Sequence, residues 1–242
     1  MSKQARRYQN HHQAKPKWEG DRQERSNTIQ LVGKTNNQKL FIHSLQNDVM
    51  TVGIGSAGVG KSFMSLTYAA KQLLSKQTRK IVLYRAYQPL ANRTVGFLKG
   101  DANEKMLPYF AQQVEYLKDV LGAGAFDIAL KAGTIELGLL EAVRGRSFSD
   151  AIVVVDEAQL LTPAEIQALV TRIGDNCQMI LIGDVNQKDV KHNQLSGLKY
   201  LFDIIHQYDI ADVGVINFEI DDCQRSGIVK SFLLAFDDSG YL

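Results

Sequence analysis

The feature that most constrains the fold of this chain is a glycine-rich segment at residues 55–62. It matches the pattern G-x-x-x-x-G-K-[ST] at every defined position and reads Gly55-Ser56-Ala57-Gly58-Val59-Gly60-Lys61-Ser62. The apolar run 49–54 before it predicts a short buried strand, and the residues after it predict a helix from about Lys61 to Leu74. A strand that turns through glycines into a helix is the setting in which this pattern binds phosphate. The alternative, an ordinary glycine-rich turn, explains the complete match less well.

Each part of this segment has a chemical reason. Glycines allow backbone N–H groups to turn inward around phosphate oxygens, and the helix N-terminus adds the positive end of its dipole. Lys61 can reach the β- and γ-phosphates, and Ser62 can ligate Mg²⁺. We therefore predict that all eight residues bind ATP with Mg²⁺, and that Lys61 is also catalytic.

Two acidic residues follow a strand that is apolar at every position, residues 151–155. Such a strand is typical of a parallel sheet covered on both faces. Asp156 is predicted to hold Mg²⁺ together with Ser62, and Glu157 to act as the general base that polarises the attacking water.

A second buried strand, predicted at 178–182, runs into Gly183-Asp184-Val185-Asn186-Gln187. The carboxyl ends of parallel strands line one crevice, so Asp184 and Gln187 are predicted to face the γ-phosphate. Gln187 is assigned a catalytic role, in which its amide bonds the phosphate or the water. The alternative is an amide on a surface loop.

The order of the predicted elements indicates the fold class. Strands are expected at 49–54, 81–84, 134–137, 151–155, 178–182 and 213–216, and helices at 40–45, 61–74, 110–121, after Thr162-Pro163, at 196–207 and at 227–236. Strands that alternate with helices predict a doubly wound α/β fold with a mainly parallel sheet.

The length of 242 residues suits one such domain, and 45% hydrophobic residues are ordinary for a globular protein. No apolar run approaches the length of a membrane span, the N-terminus is too polar for a secretory signal, and two cysteines do not make a disulfide framework. We expect a cytoplasmic protein. Residues 1–33 are basic and poor in apolar side chains, which predicts a flexible arm before a domain at 34–242. A solvated tail and a nucleic-acid-binding arm both remain open for it.

These motifs resemble those of the PhoH-like family and, more distantly, of superfamily 1 helicases, from Lys34 to the end of the chain. The shared segments are the glycine-rich loop, Val155-Asp156-Glu157-Ala158-Gln159, Gly183–Gln187, Ser196-Gly197-Leu198, Gly96–Asp101, Arg144-Gly145-Arg146-Ser147 and Thr171-Arg172-Ile173-Gly174. The chain departs from the family at Ala86, Lys99 and Gln224-Arg225-Ser226, which affects peripheral contacts.

The resemblance implies a single RecA-like P-loop NTPase domain that hydrolyses ATP with Mg²⁺ and acts on RNA or single-stranded DNA as a helicase. Gln38 resembles the glutamine that reads adenine in helicases; the alternative is an exposed glutamine near a helix cap. An ATP-gated assembly or nucleic-acid-binding protein without helicase activity remains a competing function. A P-loop kinase for a small molecule fits less well.

A single domain lacks the second domain that supplies an arginine to the ATP site in two-domain helicases. The arginine must then come from the same chain or from a neighbouring subunit, and Arg225 and Arg172 are the candidates. A site completed by a neighbour makes a head-to-tail contact, which predicts a homo-oligomer in the form of a hexameric ring. A surface salt bridge is the alternative role for each arginine.

Contacts with nucleic acid are predicted from the region 86–133 and the following arginine pair. Arg93, Arg144 and Arg146, with Lys99, offer phosphate contacts, and Tyr87, Phe97 and Tyr109 offer stacking faces. The alternative is that Phe97 and Tyr109 belong to the core and that the charges belong to a solvated face.

Overall fold

The computed structural model describes residues 29–86, 106–139, 143, 147–185 and 196–239. The strands are β1 (Met50–Ile54), β2 (Lys80–Arg85), β3 (Ile135–Leu139), β4 (Ala151–Asp156), β5 (Gln178–Gly183) and β6 (Val213–Asn217). The α-helices are α1 (Asn36–Asn47), α2 (Lys61–Leu74), α3 (Ala111–Leu121), α4 (Ala123–Lys131), α5 (Pro163–Val170), α6 (Gly197–Tyr208) and α7 (Gly227–Ser239). Short 3-10 helices lie at Leu107–Phe110, Ala158–Leu160 and Ile220–Asp222.

The strands form one sheet in the order β3-β2-β4-β5-β1-β6, and every neighbouring pair is parallel. This confirms the predicted α/β class, with a sheet that is parallel throughout. Strand β5 lies between β1 and β4. The segments that follow these three strands therefore lie side by side at one edge of the sheet.

Burial of β4 on both faces explains why this strand lies inside the sheet. Ile152 and Val154 belong to the apolar cluster on one face, and Val153 and Val155 to the cluster on the other. All four side chains are buried. The pattern of continuous apolar residues therefore predicted the position of β4 correctly.

Helices cover both faces of the sheet. Helices α1 to α4 contribute Phe41, Leu66, Leu117 and Phe126 to the first cluster. Helices α5 and α6 pack on the second face through residues that include Leu169 and Leu201. The result is three layers, with the sheet in the middle, as the alternation of strands and helices predicted.

Capping residues set where two of the helices begin. The side chain of Thr162 accepts the N–H of Glu165, Glu165 reaches back to the cap, and Pro163 occupies the first turn of α5, as predicted. Helix α1 begins earlier than predicted, because Thr35 caps it and Gln38 completes the same reciprocal pair. The sequence pattern had indicated only residues 40–45.

Helix α4 was missed by the sequence analysis. It begins among small residues, Ala123-Gly124-Ala125, which carry no apolar periodicity. Phe126 is fully buried in the first cluster and holds the helix against the sheet. The burial of Phe126, which is a tertiary effect, outweighs the weak helix preference of the neighbouring small residues.

The N-terminal boundary also lies earlier than predicted. Ile29 and Leu31 pack against the first cluster, so the packed chain includes residues that we had assigned to the arm. The rest of the arm, residues 1–28, lies outside the described residues. Within the described ranges, no helix is long and apolar enough to cross a membrane.

We predict that Phe126→Ala lowers the free energy of unfolding by about 3–5 kcal/mol, because it removes a fully buried ring and leaves a cavity. Ile128→Ala on the same helix is the matched control, since Ile128 is 71% exposed, and it changes stability by less than about 0.5 kcal/mol. Urea denaturation measures both. Equal effects would show that α4 does not pack as described.

Candidate nucleotide-binding site

The glycine-rich segment forms a tight loop between β1 and α2. Gly58 and Gly60 have φ angles of 87° and 94°, in the left-handed region that glycine tolerates best. A Cβ atom at Gly55 would lie 2.7 Å from the Cβ atom of Phe218, so only glycine fits there. The loop thus has the backbone that the phosphate-binding pattern requires.

Lys61 lies folded onto this loop. Its Nζ donates hydrogen bonds to the backbone carbonyl oxygens of Gly55, at 2.5 Å, and Ser56, at 2.9 Å. Burial lowers the pKa of the Lys61 ammonium, and the nearby Asp184, Asp156 and Glu157 carboxylates oppose that shift. Phosphate oxygens bound here would compete with these carbonyl oxygens for the ammonium group.

Ser62 and Asp156 bring hard oxygen atoms together. The Ser62 hydroxyl donates to the Asp156 carboxylate oxygens over 3.4 and 3.5 Å. Mg²⁺ prefers oxygen ligands and usually keeps waters and phosphate oxygens besides one or two carboxylates. The described residues contain no group of three or more His, Cys, Asp or Glu side chains placed to hold a metal. The Ser62 and Asp156 oxygens are of the ligand type that Mg²⁺ prefers, and the assignment of the metal to this pair stays a prediction.

Glu157 has a backbone that few residues adopt. Its φ and ψ angles are 57° and 36°, in the left-handed region. Non-glycine residues held there cluster at functional sites, because surrounding contacts must offset the strain. The Glu157 N–H donates to Asp156 Oδ1 at 3.0 Å. Contacts of Glu157 with its neighbours must therefore hold it in this conformation.

Two side chains hold the Glu157 carboxylate. Arg85, at the end of β2, lies 3.5 Å from Glu157 Oε1 and also donates to the Tyr109 carbonyl at 2.8 Å. Gln159 Nε2 donates to Glu157 Oε2 at 2.8 Å. Neither Arg85 nor Gln159 had a role predicted from the sequence. For Gln159 the available signal was its place in the Asp-Glu-Ala-Gln segment.

Gln159 also links the ends of β4 and β5. Its Oε1 accepts the backbone N–H of Asp184 at 3.0 Å, and its own backbone carbonyl accepts the Ser196 hydroxyl at 3.2 Å. Both Gln159 and Asp184 are buried. The predicted approach of Asp184 to the site is thus observed, since it lies in the same cavity as Lys61.

One cavity joins these groups, and Lys61, Ser62, Asp156, Glu157 and Asp184 all line it. Arg225 lines it too, in the same chain. A Cβ atom built on Gly58 would lie 3.0–3.1 Å from the side-chain atoms of Arg225, and the Gln224 N–H donates to the Gly58 carbonyl at 3.1 Å. Arg225 therefore rests on the phosphate-binding loop of its own chain.

Arg172 lies elsewhere. Its backbone carbonyl accepts the N–H of Phe148, and the neighbouring Ile173 pairs with Phe148 ahead of β4 and β5. These contacts are at the amino ends of the strands, opposite the cavity. The fold does not bring Arg172 to its own chain's site, so only a role in a neighbouring subunit stays a prediction.

The side chain of Gln38 contacts the backbone of the phosphate-binding loop. Gln38 Nε2 donates to the Val59 carbonyl at 2.9 Å, and Oε1 accepts the Lys34 N–H at 2.8 Å. The side chain is buried, so the alternative of an exposed glutamine is wrong. Reading of adenine by Gln38 stays a prediction.

A buried aspartate connects α1 with the segment that carries Arg225. Asp222 accepts hydrogen bonds at 2.8 Å from Asn37 Nδ2 and from the Glu219 N–H. Burial of Asp222 favours a higher pKa, but hydrogen bonds from Thr35, Asn37 and Glu219 outweigh it and lower the pKa. No sequence motif pointed to Asp222.

Most of the remaining predicted residues fall outside the part of the chain that the structure describes. Gln187, Arg93, Arg144 and Arg146 lie outside the described residues, as do Tyr87, Phe97 and Lys99. Tyr109 is described: it is partly buried and packs against the first apolar cluster. This favours the core role that was the alternative to stacking on a base.

The amino-acid sequence of this chain matches a known protein family. A family model described as PhoH-like protein matches residues 30–237. The chain belongs to the PhoH-like family. It is 34% identical over 204 residues to the PhoH-like protein of Bacillus subtilis (strain 168), covering 84% of this chain and 63% of that one. It is 31% identical over 211 residues to Protein PhoH of Escherichia coli (strain K12), covering 86% and 59%. The PhoH-like chain thus spans about three fifths of the length of these relatives.

Solved structures with a similar fold are more distant. The UvsW helicase from bacteriophage T4 has a TM-score of 0.48 and 14% identity, over 83% of this chain and 67% of that one. The large terminase from a thermophilic bacteriophage has a TM-score of 0.49 and 11% identity, over 82% and 49%. At TM-scores below 0.5, these resemblances indicate nothing about the activity of this chain.

We predict that Asp222→Ala lowers the free energy of unfolding by about 1–3 kcal/mol, because it leaves two partly buried hydrogen-bond donors without their acceptor. Asp221→Ala is the matched control. The Asp221 side chain is 83% exposed and forms an ion pair with Lys230 at the surface, so its loss costs less than about 1 kcal/mol.

We predict that the loss of stability caused by Asp222→Ala depends on pH, and denaturation experiments at several pH values measure it. Because the pKa of Asp222 is lowered in the folded state, its stabilisation is complete above the unfolded value near pH 4 and is lost as the pH falls through the folded value. The difference between Asp222→Ala and the unmodified protein should therefore shrink below about pH 4. A difference that grows with acid would contradict the assignment.

Proposed function

We propose that this PhoH-like protein hydrolyses ATP with Mg²⁺. One observation supports this most directly: Lys61, Ser62, Asp156 and Glu157 line a single cavity although they come from two separate strand ends. Each is the residue type that phosphoryl transfer to water needs at its position. The backbone of the glycine-rich loop would bind the phosphates.

The roles follow from the contacts. Lys61 would move from the Gly55 and Ser56 carbonyl oxygens to the phosphates. Ser62 and Asp156 would hold Mg²⁺, which neutralises phosphate charge when bound. Glu157 would accept a proton from the attacking water. Because Arg85 and Gln159 hold the Glu157 carboxylate, they would set its position relative to that water.

We predict that Lys61→Ala abolishes ATP hydrolysis and that Glu157→Gln lowers kcat by about 10²–10⁴-fold while nucleotide still binds. Lys71→Ala is the control, because it removes a lysine from the far end of the same helix. Phosphate release and calorimetric titration measure the two properties. Full turnover by Glu157→Gln would exclude Glu157 as the base, and phosphate release without an added acceptor separates hydrolysis from kinase activity.

We also propose that ATP hydrolysis is coupled to the binding or unwinding of RNA or single-stranded DNA. Its support is the likeness of the Asp-Glu-Ala-Gln and Gly-Asp-x-x-Gln segments to superfamily 1 helicases. The same phosphate-release assay with and without each polymer decides it. Stimulation favours a nucleic-acid motor, and unchanged turnover favours an ATP-gated assembly or binding protein.

Arg225 is proposed as the additional cation at the γ-phosphate. Its position on Gly58 supports supply within the same chain, although the sequence analysis had left a neighbouring subunit equally open. A hexameric ring, as one form of homo-oligomer, stays part of the proposal. If Arg225 acts within its own chain, the ATP site would be complete without a neighbouring subunit.

We predict that Arg225→Ala lowers the ATPase rate by about 10³-fold. If Arg225 acts in its own chain, mixing Arg225→Ala with Lys61→Ala protein restores no activity, because no chain then has both residues. Recovered activity in the mixture would instead show supply by a neighbour. Arg172→Ala is tested in the same way, and recovery with Lys61→Ala would identify Arg172 as the neighbour's arginine.

A further inference from the structure

Gln113, on helix α3, is a buried polar residue of the cavity. One atom of its side-chain amide has no hydrogen-bond partner among the described residues, and the proposed function assigns this residue no role. It lines the cavity and is only 2% exposed. Its Nε2 donates to Asp156 Oδ2 at 2.6 Å. Its Oε1 is buried and has no hydrogen-bond partner among the described residues.

The orientation of this amide follows from its neighbour. A flipped amide would place Oε1 against the Asp156 carboxylate, so that two acceptors would face each other without a proton between them. The amide N–H therefore points to Asp156 and the amide oxygen is left over. A buried acceptor without a partner is costly, and such atoms in native proteins usually meet a bound water or ligand.

The Asp156 carboxylate is held from separate elements. Gln113 on α3 binds Oδ2, the Glu157 N–H binds Oδ1, and the Ser62 hydroxyl approaches both oxygens. Helix α3 thus contributes directly to the orientation of a proposed magnesium ligand. No motif in the sequence assigned α3 to the site.

We propose that Gln113 is a positioning residue of the magnesium–nucleotide site. Its amide N–H orients Asp156, and its amide oxygen accepts a hydrogen bond from water that binds in the cavity together with Mg-nucleotide. The inference rests on the proposed function, since it requires Mg-nucleotide to bind there. Groups that orient metal ligands typically change metal affinity by about 10–100-fold when they are replaced.

A purely structural role predicts a different result. If Gln113 only ties α3 to the sheet, its replacement lowers thermal stability but leaves the effect of Mg²⁺ on nucleotide affinity unchanged. The decisive quantity is therefore the ratio of nucleotide Kd values with and without Mg²⁺. Activity alone does not separate the two roles.

The experiment is a calorimetric titration of the full chain with a non-hydrolysable ATP analogue, once with Mg²⁺ and once with EDTA. We expect Gln113→Met, which keeps the side-chain length, to lower the gain in affinity from Mg²⁺ by about tenfold or more. Glu115→Met is the control. Glu115 is an exposed residue of the same helix and does not line the cavity. The control should keep the gain of the unmodified protein.

The outcomes separate this inference from the function on which it rests. If the unmodified protein binds no analogue, the proposed function fails. If it binds with a gain from Mg²⁺ that Gln113→Met retains, the site stands and the role of Gln113 is overturned. Should Gln113→Met not fold by thermal denaturation, Gln113→Asn replaces it, because it keeps an amide but withdraws it from Asp156. A reduced gain in affinity from Mg²⁺ in Gln113→Asn would then support the role of Gln113, and an unchanged gain would overturn it.

Discussion

Burial of β4 on both faces is the constraint on which the rest of this protein depends. Val153 and Val155 face one apolar cluster and Ile152 and Val154 the other, so the strand is stable only between two layers of helices. A parallel sheet with helices on both faces places the carboxyl ends of all its strands on one edge. Asp156 and the glycine-rich loop therefore meet, although β5 separates their strands.

The site combines a loop of low strain cost with one strained residue. Glycines occupy the left-handed positions of the phosphate-binding loop, whereas Glu157 adopts that region with a full side chain. Hydrogen bonds and an ion pair from Gln159, Arg85 and the Asp156 carboxylate hold it there. A carboxylate with a fixed direction suits the general-base role proposed for Glu157. It would not have to reorient towards the attacking water at the moment of reaction.

The ends of the PhoH-like domain meet at the phosphate-binding loop. Gln38 near the start binds the Val59 carbonyl, and Gln224 near the end binds the Gly58 carbonyl. Asp222 joins the two segments by accepting the amide of Asn37. The loop is thus supported from both sides by contacts that are distant in sequence, which explains why the cap of α1 and Arg225 lie near one ligand cavity.

The sequence by itself determined three local features: the glycine-rich loop, β4 with its two acids, and the capped start of α5. They could be predicted because glycine geometry, continuous apolar residues and a Thr-Pro cap act within a few residues. Only the tertiary structure decided that Gln113, Arg85 and Gln159 contact site residues. It also decided that Asp222 joins α1 to the segment that carries Arg225, and that Arg225 lies on its own loop while Arg172 does not. Those contacts join separate elements, and the folding of the chain around the sheet, rather than any spacing in the sequence, brings them together.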